Sequence, residues 1–329
     1  MTDHVRGLSR RRGFLAGLGA AAGLVGAARA ADLPDDRATD RDDDTWQRLP
    51  FFGPHQSGIT TAQPAAALYA ACDVLAATPG DLDRLFRLLT ARVAFLTQGG
   101  RAPTAEPRMP PPDSGVLGPV VFPDNLSVTV AVGESLFDGR FGLAERKPRR
   151  LQRMAQFPND RLDPAFCHGD LLLSINANTA ETALHALRDI VKHTPDLLAL
   201  RWTIEGFLPP HMVKTQATVR NLLGFKDGTA NPPTSDAGLM ENIVWVGPDD
   251  GEPAWAVGGT YQVVRLVRML VERWDRTPLG EQERIFGRDK TEGAPLGQRH
   301  EHDTPDYAAD PGGKVIPLEA HIRLANPRT

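Results

Sequence analysis

Leu171-Leu172-Leu173-Ser174-Ile175-Asn176 runs almost directly into Asn178-Thr179-Ala180-Glu181, and this junction decides the fold. The first six residues form a short apolar run of strand type. The next four offer side-chain oxygens to the first free amides of a helix. That helix is expected to reach about His193, with Ala183, Leu184, Leu187, Ile190 and Val191 facing inward. Residues 198–207 read as the strand after it. The same strand-to-helix unit occurs upstream. Residues 67–75 read as a buried strand, and Thr78-Pro79-Gly80-Asp81 opens a helix with threonine as cap and proline at the first helical position. Leu82, Leu85, Phe86, Leu89, Val93 and Leu96 recur at helical spacing, and Gly99-Gly100 ends the run. A proline-rich loop covers 101–119, and residues 126–132 alternate as a strand. The order is β-α-β-β-α-β, the split βαβ or ferredoxin-like unit, with an antiparallel sheet and both helices on one face.

The second half is expected to restart this pattern. Short strands are read at 242–246 and 259–268, followed by a helical stretch with Thr277-Pro278 inside it and Leu270, Val271, Trp274 and Ile285 as apolar positions. The fold class is therefore α+β, with two ferredoxin-like units spanning 51–208 and 209–329. The second is expected to be incomplete, because strands and a helix are still owed when the chain stops at Thr329.

The 329 residues suit about two domains. Hydrophobic residues make up 41% and charged residues 24%, ordinary for a globular chain. A net charge of -4 gives no reason to expect a nucleic-acid partner. Residues 1–30 are read as a signal peptide and 31–50 as a polar leader. Ser9-Arg10-Arg11-Arg12-Gly13-Phe14-Leu15 opens a weakly apolar, Ala/Gly-rich run, and Ala28-Arg29-Ala30 offers a small-x-small cleavage site. Consecutive arginines before Phe-Leu indicate the twin-arginine route, hence export to the periplasm or beyond. That route carries folded proteins and suits a chain that loads a cofactor first. Cys72 and Cys167 are too few for a disulfide scaffold; both are read as buried, unpaired strand residues.

Gly224-Phe225-Lys226-Asp227-Gly228-Thr229-Ala230-Asn231-Pro232 follows an apolar pair. Asp-Gly is a strong turn signal, and Asn-Pro turns the chain away from helix. By itself the segment is a tight surface turn, or a backbone brought against a flat cofactor with Asp227 as a positioned acid or base. Near the end stands His321-Ile322-Arg323-Leu324-Ala325-Asn326-Pro327-Arg328. Neutral imidazole is a usual axial ligand of haem iron, arginines bind carboxylate side arms, and an acid opposite the iron could move a proton between peroxide oxygens. His55, alone in a Gly/Pro loop, reads as structural. His300-Glu301-His302-Asp303 has metal-ligand residue types, but lies in loop, and a transition-metal site needs three or four placed ligands.

Four stretches together resemble the dye-decolourising peroxidase family, most closely its exported deferrochelatase/peroxidase branch. They are Phe52-Gly53-Pro54-His55-Gln56, the segment from Gly224 to Pro232, Gly293-Ala294-Pro295-Leu296-Gly297, and the segment from His321 to Arg328. They occur in the family's order and span the chain from about Phe51 onward. The resemblance implies one haem b per chain, with His321 as the proximal iron ligand and Asp227 as the distal acid/base. It implies that Gly228, Thr229 and Ala230 lie against the haem edge and that Asn326, Pro327 and Arg328 help to hold it. Arg265 and Arg323 are expected as partners of the propionates or of groups behind them.

Hydrogen peroxide with a reducing substrate is the implied chemistry, in the setting of a ferrous-iron uptake system and its other components. Release of iron from haem with the porphyrin intact is the alternative. A homodimer is a further implication, and Trp245, Trp255, Tyr261 and Trp274 are either electron relays or plain core. The sequence departs from the family pattern after the histidine. Family members carry an arginine a short stretch further on that helps to bind peroxide, and no residue here follows Thr329. A catalytically impaired haem binder is the expectation if that arginine is absent.

Overall fold

A computed structural model describes Asp44 to Ala325; the signal-peptide and leader readings up to residue 43, and Asn326, Pro327 and Arg328, lie outside the described residues. In chain order the elements are β1 (Ala66–Val74), α1 (Pro79–Gln98), β2 (Gly100–Arg101), β3 (Val120–Val121), β4 (Ser127–Val132), β5 (Leu171–Ala177), α2 (Ala180–His193) and β6 (Leu198–Phe207). The second half adds α3 (Pro210–Thr215), α4 (Ala237–Ile243), α5 (Val271–Trp274), α6 (Leu279–Phe286) and α7 (His321–Leu324). Among the described residues no helix is long and apolar enough to cross a membrane.

The first half is the expected split βαβ unit. Its four strands stand in the order β4-β5-β1-β6, all antiparallel. Because side chains alternate across a strand, one face of β1 carries Leu68, Ala70, Cys72 and Val74, and β5 presents Leu171, Leu173, Ile175 and Ala177 to the same core. Leu85, Leu89, Val93 and Leu96 of α1 and Ala183, Ala186, Leu187 and Ile190 of α2 close that core from one side. Each helix begins as its sequence dictates. The Thr78 hydroxyl oxygen accepts from the Asp81 amide at 3.1 Å, and its O–H donates to the Asp81 carboxylate at 2.8 Å. Thr179 accepts from the Thr182 amide. Thr78→Ala is expected to lower stability by about 1 kcal/mol, measured by denaturant unfolding.

Several expectations need correction. Leu184 is exposed; the buried arc of α2 also takes in Thr182, His185 and Asp189. Their polarity is satisfied locally. Asp189 binds Arg92 of α1 through two bonds of 2.8 and 2.7 Å, and His185 meets Asp113 at 2.7 Å. Cys167 is not in a strand but follows a short turn of 3-10 helix, partly exposed; both cysteines are free. Residues 242–246 are not a strand. Asp236 caps α4 by accepting from the Leu239 amide at 2.9 Å, and the helix runs through Ile243. Residues 259–268 run without a ladder partner. A strand exists only through a neighbour's hydrogen bonds, and among the described residues of 209–325 only isolated bridges form, Arg220 with Lys226 and Arg288 with Pro295. The antiparallel sheets of the α+β fold thus lie in the first half. Thr277 does not cap α6, whose cap is Pro278; its hydroxyl donates back to Arg273.

Phe52-Gly53-Pro54-His55-Gln56 has a structural task. The Gln56 side-chain amide donates to the Val130 carbonyl at 3.1 Å and accepts from the Val130 amide at 2.9 Å, so it stands in for a neighbouring strand along the free edge of β4. His55 stacks on Trp245 with centroids 3.7 Å apart and its Nδ1 lies 2.7 Å from the Gly258 carbonyl. That pins residues 245–258 beside the sheet. Its reading as a structural histidine holds.

Candidate functional site

The turn that presents Asp227 is assembled from its own backbone first. The Asn221 side chain accepts from the amides of Leu223 and Phe225, the Asn221 amide donates to the Phe225 carbonyl, and the Asp227 amide donates to the Val219 carbonyl at 2.8 Å. Gly228 has φ +101, a region that L side chains rarely adopt, and a Cβ there would stand 3.1 Å from the Asn231 side chain. The Asn231 amide closes the turn onto the Gly228 carbonyl at 2.9 Å.

Long-range contacts then fix the turn. Arg220 donates to the carbonyls of Gly224, Lys290 and Thr291. Glu301 takes both Lys226 and Thr229, its two oxygens 2.5 Å from Lys226 Nζ and 2.9 Å from Thr229 Oγ1. Burial works to raise the Glu301 carboxyl, but the bonds from Lys226, Thr218 and Thr229 outweigh it and bring it down to about 2. The Gly293-Ala294-Pro295-Leu296-Gly297 stretch packs beneath as a tight turn, with Arg288 donating to the Gly293 and Glu301 carbonyls. Asp227 itself is exposed, and among the described residues nothing bonds its carboxylate.

Phe225, two residues before Asp227, is buried and leads toward His321. It stacks on Phe286 at 4.0 Å between centroids, with Trp274 edge-on to both. The Trp274 indole N–H donates to the Leu223 carbonyl at 2.9 Å. Phe286 meets the His321 ring at 5.6 Å, inclined by 61°. His321 is the first residue of α7, exposed, and its imidazole makes no hydrogen bond among the described residues. One aromatic cluster therefore supports both the turn that carries the acid and the helix that carries the imidazole. Trp274, half-buried, packs in this cluster, and the buried Trp245 in the His55 stack. Trp255 is half exposed, its indole bonded to the Arg146 carbonyl, and the Tyr261 hydroxyl is buried beside Glu252, which with burial pushes it up to about 12.

Neither arginine is an uncommitted cation. Arg323 donates to the Asp310 carbonyl at 2.7 Å and carboxylate at 2.8 Å and lies over Tyr307, so it braces α7 from behind; its Nε is buried and unpaired among the described residues. Arg265 is ion-paired with Asp160 and lies over the Phe157 ring. Arg265 lines a cavity of about 2380 Å³ over the outer face of the sheet, together with Tyr69, Ser174, His168, Arg268 and Pro232. Asp227, Gly228, Thr229, Ala230, His321 and Arg323 are not among its lining residues. Size alone would favour the cavity as the site, but its volume is more than twice that of an ordinary ligand pocket. The unbonded acid and imidazole are the better chemical signal. Thr229 faces Glu301, and Ala230 is exposed at the end of the turn.

Glu301 and Lys226 escaped the sequence reading as site residues. In the sequence Glu301 offers only metal-ligand chemistry, and among the described residues no group of three or more His, Cys, Asp or Glu could hold a metal. Their partnership spans 75 residues, and the one local sign of it is Gly293, where a Cβ would strike the Lys226 stem at 2.7 Å.

Comparisons with known proteins agree with the four stretches. Residues 56–208 match the family model described as Dyp-type peroxidase, N-terminal, and residues 218–329 the model described as Dyp-type peroxidase, C-terminal. The chain is 59% identical to a deferrochelatase of Yersinia pseudotuberculosis over 328 residues, which is 98% of this chain and 75% of that protein. A deferrochelatase of Shigella flexneri is also 59% identical, over 98% of this chain and 77% of its own. Among solved structures, a DyP-type peroxidase from Cellulomonas bogoriensis superimposes with a TM-score of 0.77 at 37% identity, covering 87% of this chain and 77% of that one.

Proposed function

The chain belongs to the Dyp-type peroxidase family of haem-dependent enzymes, and on that footing we propose that it binds one haem b through His321 and uses Asp227 as its acid/base. The observation that carries this reading is a contrast. The Asp227 carboxylate and the His321 imidazole are left without hydrogen-bond partners among the described residues, while Lys226, Thr229 and Arg323 around them are tied down. The donor chemistry fits haem: an uncommitted imidazole is a normal iron ligand, and Gly228 at φ +101 supplies the tight turn that leaves the Asp227 carboxylate exposed.

Bound haem supplies an iron centre that takes up peroxide and accepts electrons from a reductant. The protein's own part is positional. His321 would hold the iron, with Phe286 packed against its ring and Arg323 bracing the helix through Asp310. Asp227 would take up a proton from one peroxide oxygen and give it to the other, which a carboxylate with no competing partner can do. Thr229 and Ala230 would lie against the cofactor edge, and Asn326, Pro327 and Arg328, outside the described residues, would help to hold it. Arg265 is committed to Asp160 beside the large cavity and has no part in this proposal.

The 59% identity to deferrochelatases supports a second reading on the same residues, release of iron from haem with the porphyrin intact. Product analysis separates the two: free iron with intact protoporphyrin marks release, and an oxidised reductant such as a dye with haem retained marks peroxidase action. Export through the twin-arginine route, to the periplasm, is part of the proposal; it rests on the arginines before Phe14 and suits work beside other components of iron uptake. Asp227→Asn is expected to keep haem and to slow oxidation of the iron by peroxide by about a hundredfold or more, read by stopped-flow absorbance. An unchanged rate would remove Asp227 from the reaction.

A further inference from the structure

We propose that Glu301 is the positioning residue for Asp227, holding the turn by one oxygen on each side of it and matching the charge of Lys226 so that Asp227 stays unpaired. This rests on the acid/base reading of Asp227 above. The geometry is specific. Lys226 and Thr229 bracket the Asp227-Gly228 pair in sequence, and both end on the same carboxylate. Glu301 is nearly enclosed, with its side chain 13% exposed, and Lys226 is 21% exposed. The Lys226 stem is seated against Gly293, which at φ +78 has no Cβ to displace it. A half-buried ammonium so close along the chain to a lone carboxylate would otherwise pair with it, hold it ionised and spoil its use as a proton carrier.

The other charged groups near Glu301 and the turn are already committed or distant. Arg288 donates to the Gly293 and Glu301 main-chain carbonyls, Arg220 to three carbonyls, and Lys290 to Gln282. Asp289 accepts from three amides of its own turn. His302 Nε2 stands 3.9 Å from Glu301 and is exposed. Glu301 and Lys226 therefore match each other.

The test uses Glu301→Gln, Glu301→Ala and the pair Glu301→Gln with Lys226→Met. Amide hydrogen exchange is read on the chain without haem, and the pH profile of the peroxide reaction on the haem-loaded chain. Both single variants are expected to speed exchange at residues 226–229 by about tenfold, with α1 and α2 unchanged. Glu301→Gln is expected to move the midpoint of the pH profile downward, because the unmatched Lys226 favours the charged form of Asp227. Adding Lys226→Met is expected to return the midpoint without restoring the slow exchange. Wild-type exchange at 226–229, an unmoved midpoint, or acceleration spread evenly over α1 and α2 would each overturn the proposal. Asp227→Asn separates the two readings. If that variant keeps the wild-type pH profile, the acid/base assignment fails, and Glu301 has no role in the reaction whatever the exchange shows.

Discussion

His321→Ala is expected to purify without colour and to show no Soret band on addition of hemin at concentrations that saturate the wild-type chain. The imidazole is the proposed iron donor. It stands at the first position of a four-residue helix, exposed, touching Phe286 by ring contact alone. Altering the groups that merely orient a metal-binding histidine costs 10- to 100-fold in affinity, so removing the ligand is expected to cost at least about a hundredfold. The fold should survive, because α7 buries no residue. Far-ultraviolet circular dichroism checks that point, and free imidazole should restore part of the Soret band. Normal haem loading in the variant would transfer the ligand role to another residue.

The second large effect is one of stability, at a carboxylate far from the proposed chemistry. Asp170 is buried at the start of β5 and collects four bonds. Val74 of β1 donates its amide at 2.9 Å, Ser135 its hydroxyl at 2.7 Å, and Arg140 two N–H groups at 2.9 and 3.1 Å. Burial would raise this carboxyl, but the bonds from Arg140, Ser135 and Val74 prevail and hold it below the usual carboxylate range. Asp170→Ala strips the partner from a guanidinium, a hydroxyl and a strand amide at once. A loss of about 2–3 kcal/mol is expected in urea unfolding, below the range for a fully buried pair because the Arg140 side chain is 38% exposed. The pH dependence has a definite sign. With the folded value depressed, the contribution is complete above the unfolded value of about 3.9 and is lost as pH falls through the folded value. Acid unfolding of the wild-type chain should therefore be steep below about pH 4, and shallower in Asp170→Asn.

The first half was legible because its signals are local. Thr78-Pro79 and Thr179 start helices within four residues of the chain, and apolar spacing marks the buried faces. Leu184 misled because the inward arc of α2 also accepts polar groups, which Arg92 and Asp113 satisfy from elsewhere in the fold. The second half was less legible because its order comes from bonds between distant residues. Lys226 reaches Glu301 across 75 positions and Arg220 reaches Lys290 across 70. Residues 259–268 have strand-like composition, but composition cannot supply a neighbour. Of the site, Asp227 and His321 were visible as motif residues, whereas the Glu301 clamp and the Phe225–Phe286–His321 contact exist only in three dimensions.

The Gln56 amide seated on β4 also bears on how the sheet meets other chains. It fills the donor and acceptor of Val130, so that margin of the sheet offers no template there. The opposite margin, β6, has β1 as its ladder partner and ends in Phe207, 79% exposed. An edge residue whose amide and carbonyl are already bonded is a poor template for another chain, so at Val130 the Gln56 side chain acts as a local guard against edge-to-edge addition.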